Sequence, residues 1–109
     1  MTVIEYAGSK IDLDDDGYLK DSEEWNENIA RGLAENLDVG ELTAEMMEVI
    51  RFMRSYYVNY NSFPVLNSVC KNVHQPKECV NEEFIDPLKA WKIAGLPNPG
   101  DEVISYLKR

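Results

Sequence analysis

Cys70, His74 and Cys79 stand in a Cys-x3-His-x4-Cys arrangement, and they are the chain's only cysteines and only histidine. A structural Zn²⁺ takes four ligands, so this set is one short unless Glu78 or Glu82 joins it. Cys70 shares a helical face with Leu66 and Val73, which reads as a small core residue rather than a nucleophile. Cys79 sits in a Pro-containing connection after Lys77 and near His74, surroundings that lower a thiol pKa and leave the sulfur reachable. Cys79 is therefore the candidate reactive group. A Cys70–Cys79 redox pair is the weaker form of that idea, since cytosolic disulfides are usually transient. His74 itself reads as a polar residue at a helix end.

A second constellation runs from Asp12 to Glu23. Asp12, Asp14, Asp16 and Glu23 match positions 1, 3, 5 and 12 of an EF-hand loop, with Gly17 at 6 and Leu19 at 8. An EF-hand needs a helix on each side, however, and Val3 to Leu13 reads as a hairpin. Lys20 falls where an oxygen or a water-holding side chain is required, and Glu24 where the exiting helix offers an apolar residue. The acidic stretch is thus expected to be a turn followed by a capped helix, without calcium. No Ser-His-Asp arrangement, phosphate-cradling glycine loop or carboxylate pair in an evident apolar setting is present, and no cofactor is expected.

The surrounding chain narrows the classes further. Its 109 residues suit one domain, and 44% hydrophobic content supports a folded core. A net charge of -9 argues against gripping nucleic-acid phosphates or an anionic membrane. Two cysteines are too few for a multi-bridge secreted scaffold. The opening MTVIEYAGSK lacks a signal-peptide pattern, and no stretch approaches a membrane span, so a soluble cytoplasmic protein is expected.

The elements that must position the cysteines are legible in outline. Val3–Tyr6 and Lys10–Leu13 flank Ala7-Gly8-Ser9 as a hairpin, and Tyr18-Leu19 suggests a short third strand. Ser22 is read as the cap of a helix with Glu23 and Glu24 in its first turn and Trp25, Ile29, Leu33 and Leu37 along one stripe. Thr43 caps a second helix reaching about residue 60, with Met46, Val49, Ile50, Met53, Tyr57 and Tyr60 at helical spacing. Pro64 begins a third, with Leu66, Val69, Cys70 and Val73 inward. A short turn around Val80–Ile85 and a helix opened by Pro87 and stopped at Gly95 follow. Leu96-Pro97-Asn98-Pro99-Gly100 reads as a stiff extended arm, and the apolar tail from Val103 to Leu107 is expected to dock at an unspecified place.

Gly17-Tyr18-Leu19-Lys20-Asp21 with Trp25, Leu42-Thr43, Val49 to Tyr57, Phe63-Pro64 and Lys89-Ala90-Trp91-Lys92-Ile93-Ala94-Gly95-Leu96-Pro97-Asn98-Pro99 together resemble the TusE/DsrC/DsvC family of sulfur-relay proteins and sulfite-reductase gamma subunits. The resemblance runs in order from about residue 3 to 99. It implies an α+β fold, with a small three-stranded meander against about five helices and the C-terminal segment as a mobile arm. It also implies carriage of sulfur as a cysteine persulfide or trisulfide between partner proteins. The family's arm cysteine aligns with Glu102, and the second cysteine of sulfite-reductase partners with Trp91. The basic residue that usually follows the Phe-Pro region is Asn67, with Lys71 one turn on.

Neither Glu nor Trp can accept sulfur as a thiolate does, so relay through the usual arm is excluded. The expectation is a single domain over 1–109, with arm and tail at 96–109. It would act as a binding or regulatory paralogue that docks on a sulfite-reductase or sulfur-relay partner through Leu96, Pro97 and Pro99. The alternative is a sulfur carrier whose site has moved to Cys79, with Cys70 resolving.

Overall fold

The computed structural model describes residues 2–107. Strands β1 (Thr2–Tyr6) and β2 (Ser9–Leu13) form an antiparallel hairpin with Tyr6 opposite Ser9 and Thr2 opposite Leu13. The expected third strand shrinks to one bridge, Leu13 to Leu19. The acidic turn prevents more pairing because it closes on itself. Asp14 Oδ1 accepts from the amides of Asp16 at 2.9 Å and Tyr18 at 3.0 Å, and the Tyr18 carbonyl accepts from the Asp14 amide at 2.8 Å.

The helix expected from Ser22 divides in two. Asp21, not Ser22, caps a 3-10 turn over Ser22–Glu24, and Asn26 then caps helix α1 (Glu27–Asn36) through the Ile29 amide. Trp25 between them is extended, which lets its indole N–H reach the Ile93 carbonyl at 2.8 Å while the Arg54 guanidinium lies over its ring. These long-range contacts displace the helical conformation that local spacing favours. Within α1, Gly32 faces the hairpin, where an added Cβ would stand 2.8 Å from both Ile11 Cδ1 and Tyr6 Cβ. A close strand–helix approach therefore explains the helical glycine.

Helix α2 (Ala44–Tyr60) has the expected extent and Thr43 cap. Its Met46, Val49, Ile50 and Met53 are buried, whereas Tyr60 points out. Helix α3 (Leu66–Asn72) starts after the buried Pro64 rather than at it. Helix α4 (Cys79–Phe84) and helix α5 (Pro87–Ile93) follow, α5 being capped by Asp86. Gly95, at φ +69°, ends α5 with its amide on the Lys92 carbonyl and that of Leu96 on Trp91, a left-handed stop. The tail forms a sixth helix, α6 (Asp101–Leu107), so the arm occupies only the extended residues 96–100. The result is an α+β fold in which Trp91, Phe84, Leu33, Ile50 and Met53 fill one continuous apolar cluster.

Candidate functional site

Helices α3 and α4 bring the two cysteines together. Cys70 and Cys79 are joined by a disulfide that closes a loop of sequence separation 9, and they are only 1% and 2% exposed. Cys70 thus lies in the core next to the buried Val69, with Leu66 and Val73, expected on its face, half-buried against the same cluster. The expectation of a reachable Cys79 does not hold, because Cys79 is the first residue of α4 and faces the core beside Val80 and Phe84. The bond also consumes both sulfurs, so the Cys70–His74–Cys79 zinc idea loses two of its three ligands.

The connection between α3 and α4 determines this meeting. His74 adopts φ +58°, and the Gln75 amide returns to the Cys70 carbonyl at 2.9 Å, which reverses the chain within one turn. Gln75 Nε2 donates to the Glu45 carbonyl and ties the turn to the start of α2. Glu83, on α4, has its carboxyl pushed above the usual range by burial, and then by the charges of Glu45, Glu82 and Glu48.

The remaining sequence candidates separate. Asp12 lies in β2 opposite Val3, Asp14 holds turn amides, Asp16 is in the turn, and Glu23 belongs to the 3-10 turn. Among the described residues no group of three or more His, Cys, Asp or Glu is placed to hold a metal. Leu96 is buried and anchors the arm, which removes it from a docking surface, while Pro97 is exposed and Pro99 half-buried. Trp91 is fully buried, its indole N–H donating to the Pro97 carbonyl, and Phe63 and Tyr57 pack on its ring. Glu102 lies exposed in the first turn of α6.

One surface feature escaped the sequence reading. A groove of about 460 Å³ runs between the start of α3 and α6, lined by Phe63, Pro64, Val65, Leu66, Val103 and Tyr106 among others, with Asn67 and Glu102 as polar members. Its signal was present in two apolar runs, Phe63 to Leu66 and Val103 to Leu107, but nothing in the sequence pairs them. Their juxtaposition depends on the Gly95 stop and the arm.

A family model described as "DsrC like protein" matches residues 5–103. The chain belongs to the DsrC family. Among its DsrC/TusE relatives, the sulfurtransferase TusE of Escherichia coli K12 is 35% identical over 103 residues, covering 86% of this chain and 94% of that one. The oxidized gamma subunit of the dissimilatory sulfite reductase (DsrC) from Archaeoglobus fulgidus superposes with a TM-score of 0.78 at 33% identity, covering 91% of this chain and 97% of that one. DsrC of Allochromatium vinosum gives 0.69 at 29% identity, with coverages of 90% and 95%. No helix among the described residues of this DsrC-family chain is long and apolar enough to cross a membrane.

Proposed function

We propose that this chain is a sulfur carrier of the DsrC/TusE type that works with partner proteins of a sulfur-transfer or sulfite-reductase system, using Cys79 and Cys70 in place of the arm thiols. The carrying observation is the pairing of the chain's only two cysteines within bonding distance. The sulfurtransferase name borne by its relatives supports this reading over a protein that docks without relaying sulfur.

The chemistry starts from the dithiol. The Cys79 thiolate attacks the terminal sulfur of a donor hydropersulfide, forming a new S–S bond and releasing the donor as a thiol. An acceptor thiolate can then take that sulfur and restore Cys79. Alternatively, Cys70 attacks the inner sulfur of the Cys79 persulfide and expels hydrosulfide. In that second route the carried sulfur gains two electrons and the cysteines become the disulfide. The same proposal places the chain in the cytoplasm as one domain over 1–109.

A second reading is favoured by a different observation: both sulfurs are buried, and the family resemblance implies that Trp91 and Glu102 stand in place of its thiols. There the chain docks on the same class of partner without passing sulfur. Reduction, incubation with glutathione persulfide and peptide mass mapping separate the two. Carriage requires a gain of about 32 Da, one sulfur, on the Cys79 peptide. Retained partner binding with no such gain overturns carriage and leaves docking.

A further inference from the structure

We propose that the Cys70–Cys79 bond is a redox latch that sets the α3 wall of the groove between α3 and α6. This goes beyond sulfur carriage and holds whether or not a persulfide forms.

Three features place the latch. The first is the weakness of the two helices it joins. α3 has 7 residues and α4 has 6, and neither has a side-chain cap. Helices this short do not persist on their own propensity. The second is backbone strain on both sides of α4: His74 at φ +58°, and Ile85 at φ +72° with ψ -44°. A β-branched residue in that conformation is a genuine outlier held by its surroundings. The third is position. Leu66 and Asn67, in the first turn of α3, line the groove, and Cys70 lies one helical turn further along from Leu66.

The remaining packing keeps the event local. α3 has its principal contacts with α2 and α4, and α4 is packed in turn on α5 and α2, whereas α1, α2 and α5 are held to one another and to the hairpin through α1–α5, α2–α5 and α1–strand packing that does not involve the disulfide. α6, the other wall, has its principal contact with α5 and contributes no buried residue. The two walls of the groove are thus held independently, and the disulfide bears on one of them.

Opening is a dithiol–disulfide exchange. A reducing dithiol gives up two electrons and two protons, the S–S bond breaks into two thiols, and the reductant leaves as its own disulfide. Exchange with an oxidised low-molecular-weight disulfide re-forms the bond. Freed of its covalent tie, α3 keeps its packing on α2 and α4, and the strained turns relax.

The test compares amide hydrogen exchange of the full chain before and after treatment with dithiothreitol under native conditions, with alkylation and mass reporting the thiols. The latch requires two new thiols and protection lower by at least about tenfold across residues 65–85, with α2 and α5 unchanged. A Cys70→Ala/Cys79→Ala variant should match the reduced chain without reductant. Unchanged exchange after reduction overturns the latch, as does loss of protection throughout α1, α2 and α5, which marks a global staple. A bond that dithiothreitol leaves intact in the folded chain also overturns it. Sulfur carriage fails separately, by the absence of the persulfide mass.

Discussion

The indole N–H of Trp91 donates to the backbone carbonyl of Pro97 at 2.6 Å, so this fully buried side chain holds the arm against the core. Trp91→Phe keeps an aromatic ring among Phe63 and Tyr57 but removes the donor. We expect a loss of about 1–2 kcal/mol in urea unfolding. Faster amide exchange at residues 98–104 would show that the arm had been released, and unchanged exchange there would show that the bond does not restrain it.

Gly95 is the residue that turns the chain from α5 into the arm. It combines φ +69° with a space in which a Cβ would approach Trp25 Cδ1 to 2.4 Å. Gly95→Ala should therefore cost about 2–3 kcal/mol, from the left-handed conformation and the forced shift of Trp25 together. Equilibrium denaturation checks it, and a cost below that of an exposed Gly→Ala change would contradict the close approach.

Arg54 joins three segments. Its guanidinium donates to the Ala94 carbonyl at 2.7 Å and the Ser22 carbonyl at 3.2 Å while lying over the Trp25 ring. A lysine keeps the charge but cannot present two donors and a planar face together. Arg54→Lys should lower stability by about 2 kcal/mol. Altered tryptophan fluorescence is the accompanying signature at Trp25.

Burial and the neighbouring Glu45, Glu82 and Glu48 raise the Glu83 carboxyl. A raised folded-state pKa means that the fold favours the protonated acid. The resulting stability is complete below the unfolded value, about 4.3, and is lost as the pH rises through the folded value. Glu83→Gln should melt at a higher temperature than the parent at pH 7. That advantage should fade as the pH falls toward 4; an advantage independent of pH would point to packing instead.

Glu102 is exposed in the first turn of α6. Glu102→Cys should alkylate with iodoacetamide without prior reduction, while Cys70 and Cys79 stay unmodified in their disulfide. The variant should also take up one sulfur from glutathione persulfide, about 32 Da. Failure of the introduced thiol to react would show that α6 shields this position.

Elements with local signals are legible along the chain. Thr43 and the apolar spacing to Tyr60 specify α2, because a cap and a 3.6-residue stripe act within the helix itself. Pro87 and Gly95 bound α5, and the hairpin follows from two β-branched runs about a short turn. The order of motifs from Gly17 to Pro99 likewise carries the family, and the sequence has no cysteine beyond Cys79. Features that depend on distant partners emerge only on packing. Trp25 leaves the helical path because the Ile93 carbonyl and Arg54 hold its ring. Cys79, which its polar flanks present as reachable, turns inward because the His74–Gln75 reversal lays α4 beside α3 and brings its sulfur to Cys70. The groove exists only once the Gly95 stop and the arm carry α6 to Phe63–Leu66. Local spacing records which face of an element is apolar; which other element covers that face is fixed only when the whole chain packs.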